Sequence, residues 1–154
     1  SFCSGSGRAV LLRNWPDYRR SIELVIPGQI PRQVWLGEAG VMAAACDNRG
    51  EKIWIVLRNA LPTLRDELLL VNSSGLVLKR RSIPGWYLAS GAVLDVDPAT
   101  NRLLTVMTDG DGSKRRAALI DGSSLEYELL KPQVVLARWL PSGGELDEFS
   151  KVRR

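Results

Sequence analysis

The sequence predicts an all-β domain built from four-stranded antiparallel meanders of blade-like form. Three observations lead there. The apolar stretches are short, rich in Val, Ile, Leu and Trp, and none keeps a helical period. Turn residues separate them at a spacing of roughly 8–12 residues, as in all-β domains. The order of strands and turns over 41–83 then recurs over 92–132, and a period near 50 residues marks repeat architectures.

The strands follow in order. Near 8–13 and 20–26 lie RAVLLR and RSIELVI, and near 40–46 and 52–58 lie GVMAAAC and KIWIVLR. Next come 67–72 (ELLLVN), 76–82 (LVLKRRS), 92–96 (AVLDV) and 102–108 (RLLTVMT). The last three are 115–120 (RRAALI), 125–130 (LEYELL) and 134–139 (VVLARW). Asn72-Ser-Ser-Gly75 and Asp121-Gly-Ser-Ser124 each separate a pair of such runs with residues that accept positive φ or form side-chain turns. Asp97-Pro98-Ala-Thr-Asn101 is a wider turn. Ile53 to Leu57 and Leu68 to Val71 are apolar at both parities, so these strands need cover on both faces. Leu125, Tyr127 and Leu129 alternate with Glu126 and Glu128, which marks a strand with one wet face.

Val41 to Asp47 corresponds to Ala92 to Asp97, Lys52 to Arg58 corresponds to Arg102 to Thr108, and Leu68 to Asn72 corresponds to Ala117 to Asp121. After a flexible leader at 1–7, one domain is expected over 8–154. Its full units are 41–83 and 92–132. Residues 8–28 resemble strands three and four of a unit, and residues 134–152 resemble strand one with a portion of strand two. Ile26-Pro27-Gly28, Ile83-Pro84-Gly85 and Leu130-Lys131-Pro132 end the outer strands, where proline stops a ladder.

Ala92 to Leu130 resembles a blade of the Tyr-Val-Thr-Asn (YVTN) type of β-propeller repeat. The resemblance rests on the Val96-Asp97-Pro98-Ala-Thr-Asn101 turn, the apolar strand after it, and the Ile120-Asp121-Gly122 hairpin. The tetrapeptide position reads Leu104-Thr105-Val106-Met107 instead, and residues 41–83 match more loosely through a longer loop from Asn59 to Asp66. The resemblance implies blades, not an activity, because propellers carry many functions. Propellers have about 4–8 blades. Two full and two half units fall short of that. A partial or three-unit arrangement is therefore expected to associate with itself or to join a larger assembly. A small β-barrel or sandwich is the alternative.

The composition narrows the chemistry. The 154 residues include no histidine, which removes imidazole bases and ligands from this chain. No apolar run is long enough for a membrane-spanning helix. Two cysteines, Cys3 and Cys46, are too few for a disulfide scaffold and leave their pairing open. A Cys3–Cys46 pair, together with the resemblance to blades of exported proteins, favours an exported location. No nucleophile elbow, P-loop or dinucleotide fingerprint occurs, so nothing points to an enzyme.

The formal net charge is +4, and basic clusters stand at Lys79, Arg80 and Arg81 and at Lys114, Arg115 and Arg116. Such clusters suit an anionic polymer, or simply edge strands that repel wrong pairing. No aromatics interleave them, which argues against nucleic acid. Asp109, Asp111 and Ser113 place oxygens at alternate positions, as calcium loops do, but the twelfth position holds Ile120 rather than Glu. The pairs Asp95/Asp97 and Glu126/Glu128 each lie on one strand face. With Trp86, the aspartates are the candidate for carbohydrate binding or hydrolysis. Trp15, Trp86 and Tyr87 fall in expected loops and are candidate interface residues, while Trp54 belongs to the core. The leading expectation is a non-catalytic protein-interaction or scaffold domain that self-associates. A carbohydrate-directed domain and an anionic-polymer binder are its alternatives.

Overall fold

A computed structural model describes residues 7–60, 62–134, 137–139 and 146–147. The described residues contain no helix and form three successive antiparallel sheets that do not close into a barrel. The first sheet runs β1 (Ala9–Asn14), β2 (Arg20–Val25), β3 (Arg32–Gly37). The second is a four-stranded meander of β4 (Gly40–Cys46), β5 (Lys52–Asn59), β6 (Arg65–Asn72) and β7 (Val77–Ile83). The third is β12 (Tyr127–Gln133), β11 (Arg115–Asp121), β10 (Arg102–Asp109) and β8 (Trp86–Leu88), with β9 (Asp95–Asp97) also on β10. A short pair, β13 (Arg138–Trp139) with β14 (Leu146–Asp147), follows.

Three local features depart from the expected strands. β3 gives the first sheet a third strand where two were expected. Its sequence follows Pro31, begins with exposed Arg32 and Gln33, and bulges at Val34, so it lacks clean alternation. The first strand of the third sheet is split. β8 pairs with β10 at Met107–Asp109 and β9 pairs with it at Arg102–Leu104, while residues 90–94, after the Ala89 amide donates to the Val106 carbonyl, leave the ladder. β12 begins at Tyr127 because Leu125 takes a φ of 60° and closes the turn by donating to the Asp121 carbonyl at 2.9 Å.

The middle sheet is covered on both sides, as its double-faced strands required. Ile53, Ile55 and Leu57 join Leu69 and Val71 against Val10, Ile22, Leu24 and Val34 of the first sheet. Trp54 and Val56 point the other way. They pack with Leu68 and Leu70 against Leu103, Met107, Ala118 and Ile120 of the third sheet. Fully burying each such side chain contributes about 1.5–3 kcal/mol. On β10, Leu103 and Met107 face the second sheet, whereas Leu104 and Val106 face away, toward Val134 and Ala137. Thus residues 53 and 103, which correspond in the repeat, both look toward the preceding sheet. The turns match as well: Lys52 lies opposite Asn72 and Arg102 opposite Asp121, each at the mouth of a hairpin. Asn72 Oδ1 accepts the Ser74 and Leu76 amides, and Asp121 Oδ1 accepts those of Ser123 and Ser124.

Candidate functional site

The far face of the first sheet concentrates exposed apolar residues around a polar cluster. The β1–β2 register puts Leu11 opposite Glu23 and Arg13 opposite Ser21, and β3 adds Leu36 opposite Ser21. Arg13 pairs with Glu23 at 3.0 Å, and its guanidinium also lies 5.5 Å from the Trp15 ring centre. The Trp15 indole N–H donates to Ser21 Oγ at 3.1 Å. Ser21 and Glu23 are buried under this cover, while Leu11 and Leu36 remain 48% and 39% exposed. On the opposite face, Leu12 is 49% exposed. It borders a cavity of about 170 Å³ shared with Val10, Ile22 and Val41–Ala44. Polar groups here hold one another, and the apolar rim has no partner among the described residues. That arrangement suits docking of another apolar surface rather than bond-making.

Trp15 is therefore placed on this exposed face, but Trp86 and Tyr87 are not in a loop. Both lie half-buried in β8, at the seam between the second and third sheets. Arg58 stacks 5.6 Å from the Tyr87 ring centre, the Tyr87 hydroxyl donates to the Leu64 carbonyl at 3.2 Å, and Arg116 covers Trp86 at 5.9 Å. The seam is clasped by Asp66. Its fully buried carboxylate accepts two bonds from Arg58, at 2.7 and 2.8 Å, and one from the Leu88 amide at 2.6 Å. Arg58 also donates to the Leu88 carbonyl at 3.0 Å. The Asp66 hydrogen bond pushes the Arg58 guanidinium above its ordinary value.

The carboxylate candidates serve turns. Asp97 accepts the Ala99 amide and the Thr100 hydroxyl, and the latter holds its carboxyl below the usual range. Glu126 and Glu128 are exposed. The proposed grouping of Trp86 with Asp95 and Asp97 fails on register: Trp86 pairs with Asp109 and Asp97 with Arg102. These are opposite ends of β10, roughly 24 Å apart at about 3.4 Å per residue. In the β10–β11 turn, Asp109 accepts the Lys114 amide and the Ser113 hydroxyl, and Asp111 accepts the Ser113 amide. The calcium candidate Asp109, Asp111 and Ser113 thus has its oxygens engaged in turn bonds. Among the described residues no group of three or more His, Cys, Asp or Glu side chains is disposed around a metal position.

The basic clusters do not present one surface. On β7, Arg80 shares a face with Glu67, 3.6 Å away, while Lys79 and Arg81 point to the other face and Arg81 stacks on Tyr127. Lys114 is in a turn, and Arg115 and Arg116 leave β11 on opposite sides. Cys46 is fully buried and disulfide-bonded, and Cys3 lies outside the described residues. No signal in local sequence pattern marks the Arg58–Asp66 clasp. Only the β5–β6 register, which sets the two residues opposite each other, reveals it.

No protein-family model and no curated protein sequence matches the chain. Among solved structures it is similar to uncharacterized protein lmo1340 from Listeria monocytogenes EGD-e, with a TM-score of 0.64 at 9% identity. The match covers 86% of this chain and 39% of the other, so this chain spans well under half the length of that neighbour. At this identity the likeness bears on the fold alone. The class defined by fold and site is an all-β protein of stacked antiparallel meanders.

Proposed function

We propose that this chain is a non-catalytic interaction or scaffold domain of propeller-like blades that associates with a second copy of itself. The observation that carries the reading is the shared direction of corresponding strands. Residues 53, 55 and 57 of one sheet and 103 and 107 of the next all face the preceding sheet. Sheets stacked in one sense generate a series rather than a self-contained pair, and such a series ends on open faces unless it closes into a ring. The far face of the first sheet, with exposed Leu11, Leu36 and Trp15, is one of those ends. Two copies of three sheets each make about six blades, inside the range at which propellers close. The disulfide-bonded Cys46 supports an oxidising, exported setting for such a domain.

Size-exclusion chromatography with light scattering tests the reading. A particle of about 34 kDa, twice the 17.0 kDa chain, is expected at micromolar concentration. A strictly monomeric particle over that range overturns it.

A further inference from the structure

β7 differs from the other two outer strands. The apolar residues of β3 and β12 turn inward. Val34 and Trp35 pack in the core between the first and second sheets, and Tyr127 and Leu129 in the core between the second and third. A bulge interrupts β3, and β12 carries Pro132 next to its own break in register. Such features blunt an edge against further pairing. On β7, residues 77–82 are all exposed. Leu76, Val77 and Leu78 are exposed together, and none of them joins a core. After a bulge at Leu78, residues 79–83 run in unbroken register against 66–70.

β7 is also the edge of the second sheet, and alternation sets its free side. The Asn72 amide donates to the Leu76 carbonyl across the β6–β7 turn. β6 pairs with β5 without a break, so Leu70, Leu68 and Asp66 also direct their backbone groups toward β7. Their partners Lys79, Arg81 and Ile83 bond back. The N–H and C=O of Val77, Arg80 and Ser82 therefore point outward, and no strand among the described residues lies on them. Charge then selects a partner. Arg80 has Glu67 at 3.6 Å. Lys79 and Arg81 lie on the other face, with Arg81 over the Tyr127 ring, and neither has a carboxylate partner among the described residues. A second copy of β7 laid antiparallel on residues 79–83 would set basic residues opposite basic residues, which is destabilising. An acidic strand meets complementary charge there.

We propose that β7 is a docking edge for an extended acidic segment of another protein, which joins the second sheet as a fifth strand. Backbone bonds to Val77, Arg80 and Ser82 supply the pairing. Acidic side chains meet Lys79, Arg80 and Arg81, and apolar ones cover Leu76, Val77 and Leu78. Antiparallel addition continues the alternation of the meander, so the segment reads acidic first and apolar last. This edge is separate from the far face of the first sheet, so the proposal holds for a monomer and for a dimer alike.

The probe is a fluorescent, end-blocked peptide, Glu-Asp-Glu-Val-Thr-Val, added to the full chain. Saturable binding is expected by fluorescence anisotropy, and its absence overturns the proposal. Ser82→Pro removes an outward N–H while keeping the ladder to β6 and all three basic residues. It is expected to fold by circular dichroism and to bind about tenfold more weakly, as loss of a backbone bond requires. Lys79→Glu keeps the backbone and replaces a complementary charge by a like one, with an expected loss of about tenfold. Undiminished binding by Ser82→Pro would mean that charge alone adsorbs the peptide, and it overturns strand addition. Undiminished binding by Lys79→Glu overturns the acidic occupant. So does a wild-type dimer that Ser82→Pro dissociates, which would place a second copy on the edge. Should Ser82→Pro fail to fold, amide exchange on the wild type decides. The peptide is expected to slow exchange at Val77, Arg80 and Ser82, and unchanged rates overturn the proposal.

Discussion

Asp66 on β6 and Leu88 on β8 belong to different sheets, yet the Leu88 amide donates to the Asp66 carboxylate at 2.6 Å while Arg58 bridges both residues. One carboxylate, with no solvent contact, thereby ties the second sheet to the third at β8, just before residues 90–94 leave the ladder. Removing it leaves a guanidinium and an amide without their acceptor. Asp66→Ala is expected to lower stability by about 3–5 kcal/mol, nearer the lower figure because the Arg58 side chain is 26% exposed. Arg58→Met is expected to be costly as well, and the double variant to cost less than the two single changes together. Urea unfolding of the four proteins checks this. Additive losses would show that the clasp is not a unit.

A second tie joins the same sheets near the opposite end. The Trp54 indole N–H donates to the Gly122 carbonyl at 2.8 Å, with the Trp54 side chain fully buried. Gly122 is constrained sterically, since a Cβ there would collide with the Asn101 carbonyl and sit 3.0 Å from the Trp54 ring. Trp54→Phe is expected to lose about 1–3 kcal/mol, because the Gly122 carbonyl is left unsatisfied. Gly122→Ala is expected to lose about as much through displacement of the ring. A Gly122→Ala protein with wild-type urea midpoint would contradict this packing.

These two ties mark the limit of local sequence pattern. The apolar parity of Ile53 to Leu57 already requires sheets on both sides, and half-buried Tyr127 and Leu129 around exposed Glu128 keep the alternation expected of the outer strand, although Leu125 before them belongs to the turn. Both are local patterns, and both hold in the structure. The clasp and the Trp54–Gly122 bond join residues 22 and 68 apart in sequence, so no window of local pattern contains them. β3 escapes the pattern because its bulge breaks the alternation that betrays a strand. The split first strand escapes it because Trp86–Leu88 is three residues long and follows Pro84-Gly85, which reads as a loop.

The turn carboxylates predict an acid response. Hydrogen bonding from the Thr100 hydroxyl holds Asp97 below its ordinary value, and the Ser124 and Ser123 amides do the same for Asp121. A carboxyl depressed in the fold contributes stability that is complete above its unfolded value of about 4 and is lost as pH falls through the folded value. Stability is therefore expected to be level from pH 7 to about pH 5 and to decline below about pH 4. Asp97→Asn and Asp121→Asn are expected to lower stability at pH 6 and to flatten the decline. Urea midpoints at pH 6, 4 and 3 measure it, and variants as acid-sensitive as the wild type would assign the decline to other groups.

Thr105 supplies the case in which a substitution should strengthen the fold. It lies on β10 opposite Ala118, 1% exposed, and faces the second sheet with Leu103 and Met107. Its hydroxyl has no hydrogen-bond partner. The corresponding position of the second sheet is Ile55, where the same inward direction is filled by hydrocarbon. A buried hydroxyl that exchanges water for nothing costs about 1–3 kcal/mol, and valine has nearly the same shape without that cost. Thr105→Val is accordingly expected to gain about 1 kcal/mol, which raises the melting temperature of a domain this size by about 2–4 °C. Differential scanning calorimetry of the two proteins decides it. An unchanged or lowered melting temperature would mean that the hydroxyl is satisfied in solution, most simply by a water held between the two sheets.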